Sequence, residues 1–415
     1  MVGSISAYSL TSTIESNNVL NKGLLEITGY AVPSVIMANN KVEARERAEK
    51  SAALFGLSFL VPLVFIKGLN KGFSKLYKIS DSLKGPETRL IEISKKYLVK
   101  DAKYMEEGIK ELADNLDREG TKGTKPAFDK VLEKFPDKEK LRQALIKAQD
   151  KVLLGDYLLT GGSIGAIYWL SNENTKKKTG RDGFSAEFEM ADKDYTNQKS
   201  QEYIKNKRKN ILIANGILVG GSLGVSQSLK KAMSSNSENK IVQFAKKHAH
   251  HFDYKKGVYM SRASLALIML MGDIPNTLLA SRDKDEFKNN AIRNALLFSV
   301  FFGGDLVLNN VAAQLLDKYK GTKLVNKENL PKDASWFKKI TCPLNSLDDL
   351  KNKNWDAKVL KKTKNYGTAM FWGNFAIITA TLGFALPSVL NKMLRQQVKQ
   401  DLNNNPKPVE QNKVK

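Results

Sequence analysis

Three aspartates stand inside long apolar stretches of an otherwise lysine-rich chain: Asp156 within 152–172, Asp273 within 258–281 and Asp305 within 294–316. A carboxylate inside a membrane-crossing helix is costly to desolvate, so one that persists there marks an ion or substrate path. Asp273 is followed two residues later by Pro275, which lacks an N–H and frees a backbone carbonyl; Asp305 follows the pair Gly303-Gly304. These are the candidate intramembrane acids. The competing reading places each at the end of a shorter span, in the headgroup layer, and bears most on Asp156, close to the start of its stretch.

The other chemistry-bearing groups are few. His248, His250 and His251 lie together in KKHAHHFDY, and two of them at helical spacing could face one metal ion. Lys246, Lys247, Lys255 and Lys256 oppose a cation there, so a solvated loop and no metal site are expected. The single cysteine, Cys342, forms neither an intramolecular disulfide nor a zinc site. No P-loop, GxSxG, HExxH or dinucleotide fingerprint occurs, so no catalytic residue and no cofactor are assigned. Two basic clusters, Lys176, Lys177, Lys178 and Lys207, Arg208, Lys209, flank apolar stretches. Beside an anionic membrane each such charge is worth about 1 kcal/mol. A nucleic-acid surface would interleave aromatic rings, and only Tyr195 and Tyr203 are near. Lipid headgroups are therefore the expected partners, with a protein partner or second copy as a further one and no nucleic acid.

The elements that would carry these groups are the apolar stretches themselves. The run 365–391 (NYGTAMFWGNFAIITATLGFALPSVLN) has no charge and is flanked by Lys364 and Lys392. At about 1.5 Å per residue it exceeds the roughly 30 Å of bilayer hydrocarbon. Similar stretches cover 23–39, 51–70, 152–172, 210–230, 258–281 and 294–316. Gly216, Gly220 and Gly224 repeat at spacing four, and Gly161 and Gly165 do so in the preceding run, which predicts close helix packing along glycine faces. Glycine weakens a soluble helix by about 1 kcal/mol relative to Ala, so this density favours the membrane reading.

Stepping along the chain gives an N-terminal hairpin over 1–78, a polar helical domain over 79–150, two Gly-rich spans joined by a basic loop over 151–230, and a second hairpin over 231–320. A basic interfacial segment over 321–363, a last span over 364–395 and a polar tail over 396–415 follow. In 79–150, apolar residues recur at helical spacing (Leu90, Ile93, Leu98; Ile109, Leu112, Leu116; Phe128, Val131; Leu141, Leu145), as on the core face of a small bundle. Residues 33–78 align with 275–320 at a constant offset of 242, with Pro33/Pro275 and Tyr77/Tyr319 among the identities, which suggests two related halves. The amino terminus, MVGSISAYSLTSTIESNNVL, has neither a basic nor an apolar signal region.

The 415 residues carry 67 Lys+Arg against 43 Asp+Glu, a net charge of +24, and 42% hydrophobic residues with a mean hydropathy of −0.36. These values agree only if the apolar residues are gathered into blocks. The expectation is an all-α polytopic membrane protein of six to seven spans, multi-pass, with the 79–150 domain in the cytoplasm. Its role is read as transporter-like or channel-like and non-enzymatic. The alternatives are a membrane scaffold binding anionic lipids or proteins through basic loops, and a soluble helical interaction protein.

Overall fold

A computed structural model describes residues 6–16, 21, 23–76, 87–118, 120, 123–235, 237–254, 261–326, 335, 342, 344–351 and 353–404, without the side chains of 58–63, 66–67, 69–76, 87, 88, 305, 306 and 351. Among these residues the only non-helical pairing is one antiparallel bridge between Val325 and Leu344, so the fold is all-α. The helices used below are α1 (Ala7–Ser16), α2 (Val32–Ile36), α3 (Lys41–Leu76), α4 (Lys95–Lys100), α5 (Met105–Arg118), α6 (Thr124–Lys134), α7 (Lys138–Thr179), α8 (Lys193–Ser234), α9 (Lys240–His248), α10 (Arg262–Ile268), α11 (Ile274–Leu279), α12 (Lys284–Phe298), α13 (Asp305–Lys320), α14 (Ala357–Ile378) and α15 (Leu386–Asn404).

Among the described residues three helical runs are long and apolar enough to cross a membrane: Lys193–Ser234, Lys284–Lys320 and Ala357–Asn404; a shorter apolar helix covers Leu25–Ile36. This corrects the expected six to seven spans. The stretches 152–172 and 258–281 do not qualify among the described residues. In 152–172 the charge of Asp156 and the polar Thr160, Ser163 and Ser171 dilute the apolar residues, and on α7 Asp156, Thr160 and Ser171 are buried inside the protein. In 51–70 half of the side chains lie outside the described residues. So does most of 327–343, including Trp336 and Phe337 of the expected interfacial segment, and the tail from 405.

Among the described residues four helical turns are widened to π geometry: Leu25–Ala31, Met269–Asp273, Ser299–Gly304 and Thr379–Ala385. Three of them end two residues before a proline: Pro33, Pro275 and Pro387. The proline ring clashes with the carbonyl one turn back and offers no N–H, and an inserted residue relieves both conflicts.

The contacts divide the chain into two units, Met1–Ala53 with Tyr168–Asn210 and Thr277–Lys415, and Leu54–Ile167 with Ile211–Asn276. In the first unit the π turns at 25–31 and 379–385 pack together. A Cβ on Gly383 would lie 2.7 Å from the Gly29 carbonyl and 2.8 Å from Pro33, so only glycine permits this approach. The two elements share a sequence, Gly29-Tyr30-Ala31-Val32-Pro33-Ser34-Val35 against Gly383-Phe384-Ala385-Leu386-Pro387-Ser388-Val389, a likeness the offset of 242 does not contain.

In the second unit α4, α5, α6 and the start of α7 enclose Leu90, Leu98, Ile109, Leu141 and Leu145, all fully buried. The apolar stripe over 79–150 is thus the core face of a bundle. That bundle also takes in the later segment 249–253: Asp253 accepts from the Ser94 hydroxyl (2.5 Å) and the Lys95 backbone N–H (2.8 Å), while Lys95 Nζ donates to the Phe252 carbonyl (2.8 Å). Gln149 closes the bundle by donating to the carbonyls of Ile91 and Ile93.

Candidate functional site

The three expected acids have different fates. Asp156 is 1% exposed in the second unit, on α7. Asp273 is half-buried in the same unit, in the π turn, and Asp305 opens α13 in the first unit with its side chain outside the described residues. The structure therefore brings Asp156 and Asp273 onto neighbouring helices and leaves Asp305 in the other unit.

Glycine sets up that neighbourhood. A Cβ on Gly272 would lie 2.9 Å from Gly161 Cα, and one on Gly165 would lie 2.7 Å from the Asn276 side chain, so α7 runs parallel to the segment α10–α11 with backbones nearly touching. On its other side α7 meets α8. A Cβ on Gly161 would lie 2.5 Å from Leu218, while Asp150, three turns earlier, accepts from the Ser226 hydroxyl and lies 3.7 Å from Lys230 Nζ. The partner numbers fall as those of α7 rise, so α7 and α8 are antiparallel. This register puts Ser222 level with Asp156.

Around Asp156 the polar groups are incompletely matched. Its Oδ2 accepts from the buried Tyr254 hydroxyl at 3.1 Å. Its Oδ1 has no partner among the described residues, and neither do the hydroxyls of Thr160, one turn along the same helix face, and Ser222. Thr160 and Ser222 are 4% and 0% exposed. A buried carboxylate with one hydrogen bond carries a desolvation cost of several kcal/mol, which a bound proton or a cation removes. Carboxylate and hydroxyl oxygens are hard donors suited to a proton or an alkali cation. The adjoining π turn adds carbonyls released by Pro275, of which the Gly272 oxygen is taken by the Asn276 side chain at 2.7 Å. No family model, curated protein or solved structure matches this chain. The site is therefore read from its own geometry.

The glycine stripe on α8 behaves otherwise. Gly216, Gly220 and Gly224 have nothing within 4 Å of a would-be Cβ, whereas Gly221 is pressed against Met271. The face expected to pack against another helix is uncovered among the described residues, and Gly221, on the neighbouring face, meets Met271.

The basic clusters are partly spoken for. In the first unit Lys176 pairs with Asp182 (2.7 Å), Lys178 with Glu49 (3.0 Å) and Lys207 with Glu173. Lys177, Arg208 and Lys209 are exposed and form no ion pair among the described residues. The histidine rings lie against one another, His248 stacked on His251 at 5.6 Å and His250 tilted against His251 at 4.0 Å. No group of three or more His, Cys, Asp or Glu suited to a metal ion occurs among the described residues.

A second concentration of charge, missed from the sequence, ties the hairpin links of the first unit together. Arg282 binds Glu46 (3.0 Å) and Glu286 (2.8 Å), Lys50 binds Glu46 (2.7 Å), and the Thr175 hydroxyl donates to Glu46 (2.8 Å). Lys199 bridges Asp285 (2.5 Å) and Glu187 (2.9 Å), and Asp283 caps α12 while accepting from Phe184 N–H (3.1 Å). Burial raises the Glu46 carboxyl, but Arg282 and Lys50 outweigh it and hold the group well below the usual carboxylate range. Glu187 moves the other way: burial, reinforced by Asp283 and opposed by Lys199, pushes it up to about 8. The Glu46–Arg282 centre is internally satisfied, and it reads as a lock between links. Its members lie 236 residues apart, so no local pattern could have shown it.

Proposed function

We propose that this chain is an integral membrane protein of a transporter-like kind, in which Asp156 takes up a proton or an alkali cation. The observation that carries the membrane part is exposure. Only 22%, 12% and 22% of the apolar stretches in Lys193–Ser234, Lys284–Lys320 and Ala357–Asn404 is buried, leaving residues such as Leu212, Leu315, Ile377 and Val389 more than half uncovered. Apolar surface on that scale is stable in lipid and unstable in water. The transport part is supported by the under-satisfied Asp156 beside a proline-interrupted π turn, the kind of broken helix that lines ion sites in transporters. We further read the protein as multi-pass and non-enzymatic, with the 79–150 helices on the cytoplasmic side.

The test uses the full chain in detergent, after carbonate extraction has established membrane insertion. Thermal unfolding is followed with sodium, potassium or a bulky organic cation as the only cation, at several pH values, for the wild type and Asp156→Asn. Stabilisation by one alkali cation, absent from the variant, supports a cation site. A pH dependence that disappears in the variant without a cation effect supports a proton. Identical behaviour of the two proteins refutes the assignment. A second reading, a scaffold holding anionic lipid, is favoured by the exposed and unpaired Lys177, Arg208 and Lys209.

A further inference from the structure

In the first unit, α13 and α14 form an apolar groove of about 530 Å³. Leu308, Val311 and Leu315 line it from α13, and Tyr366, Gly373 and Ile377 from α14. The helices run antiparallel, because the turn after α13 folds back on the start of α14: Lys323 N–H donates to the Thr363 hydroxyl at 3.2 Å. The groove follows α13 from 308 to 316, about 12 Å at 1.5 Å per residue, against roughly 15 Å for one leaflet of hydrocarbon. It therefore matches the depth of one leaflet.

The end of the groove at Leu315, Leu316 and Tyr366 is crowned by positive charge. Lys320 lies four residues beyond Leu316 on α13, and Lys362 four residues before Tyr366 on α14. That spacing keeps both lysines on the groove face. Both are exposed and neither is in an ion pair among the described residues. The nearby carboxylate of Asp317 is occupied by its own turn, accepting from the Thr322 hydroxyl (2.6 Å) and from the N–H groups of Leu324 (2.8 Å) and Val325 (3.0 Å). Asp356 is occupied as the cap of α14. An apolar channel one leaflet deep below two free lysines is complementary to a molecule with an acyl chain and an anionic head.

We propose that the α13–α14 groove holds one anionic phospholipid, its acyl chain against Leu308, Leu315 and Ile377 and its phosphate between Lys320 and Lys362. The inference rests on the membrane reading but not on the Asp156 site. A neutral lipid would leave the lysines unmatched, and the bulk membrane alone would need no groove.

The experiment uses the full chain, first shown to resist carbonate extraction, then reconstituted in vesicles of phosphatidylcholine with or without phosphatidylglycerol. Lipid retained through mild detergent is weighed by native mass spectrometry. The wild type is expected to retain one phosphatidylglycerol in preference to phosphatidylcholine. Two lysines near an anionic group contribute roughly thirtyfold together, so Lys320→Ala with Lys362→Ala should lose about that factor of preference, and the Lys→Arg pair should keep it. Gly373→Phe, at a position with open space around its Cα, fills the channel and should reduce retention of both lipids. Unfolding temperatures confirm that the variants are folded. Equal retention of the two lipids by the wild type, or an unchanged preference in the alanine pair, overturns the proposal. So does a cross-linked dimer covering the groove, which would assign it to a second copy. Release by carbonate would overturn the membrane reading as well, and so separates that failure from the others.

Discussion

Replacing Arg282 by methionine should be among the most damaging single changes in the first unit. Arg282 is 8% exposed and its guanidinium lies between Glu46 and Glu286, each about 5% exposed. Methionine fills much of the volume but leaves two buried carboxylates facing each other, with Lys50 as the remaining partner of Glu46 at 2.7 Å. Breaking a buried ion pair by removing one partner costs about 3–5 kcal/mol. At about 2–4 °C per kcal/mol that corresponds to a fall in Tm of roughly 6–20 °C. The pH dependence gives a sharper check. In the wild type the Glu46 carboxyl is held below its unfolded value of 4.5, so its contribution is present above that pH and is lost as the pH falls through the lower folded value. In Arg282→Met the sign reverses, because protonating Glu46 relieves the repulsion from Glu286. The variant should then be more stable at pH 5 than at pH 7, and adding Glu46→Gln should recover part of the loss. Thermal unfolding of the four proteins in one detergent measures the cycle. A loss below 1 kcal/mol for Arg282→Met, or no recovery in the double variant, would refute the reading of this cluster as an interhelical lock.

Other consequences follow from the second unit. Lys95 is 1% exposed, and burial, opposed by Asp253, lowers its amine from 10.5 to about 8. The folded state therefore disfavours the proton, so stability should rise as the pH climbs from about 8 towards 10.5, and in Lys95→Met that rise should be flattened in pH-dependent unfolding curves. Gly272→Ala sets a methyl 2.9 Å from Gly161 Cα, backbone that cannot swing aside, and should cost about 1–3 kcal/mol by thermal unfolding. Gly220→Ala meets nothing within 4 Å and should be neutral or stabilising by up to about 1 kcal/mol.

Much of this protein was legible from residue type and spacing because the relevant physics is local. Helical periodicity identified the bundle over 79–150, whose stripe residues Leu90, Leu98, Ile109 and Leu141 are all fully buried. Long apolar runs located the three long apolar helices, and glycine spacing marked Gly161 and Gly165 as points of close approach. The expected span count is too high because an apolar run by itself fixes neither helix length nor mean hydropathy: 152–172 holds Asp156 and several Gly, Ser and Thr residues, and Leu25–Ile36 is a short helix. On α8 the glycine that meets a neighbour among the described residues is Gly221, one residue and about 100° round the helix from Gly220.

What the sequence by itself determined is the material: an all-helical chain, apolar in blocks, basic elsewhere, with an acid in the middle of an apolar run. What only the tertiary structure decided is which of these groups meet. The Tyr254 hydroxyl reaches Asp156 from 98 residues away and Arg282 reaches Glu46 from 236. Such pairings depend on helix register and crossing across two units built from discontinuous segments, and no window of sequence carries that information. An aspartate's chemistry is written in its residue type; whether it is locked by an arginine or left with one oxygen unmatched is set by the helix that passes beside it.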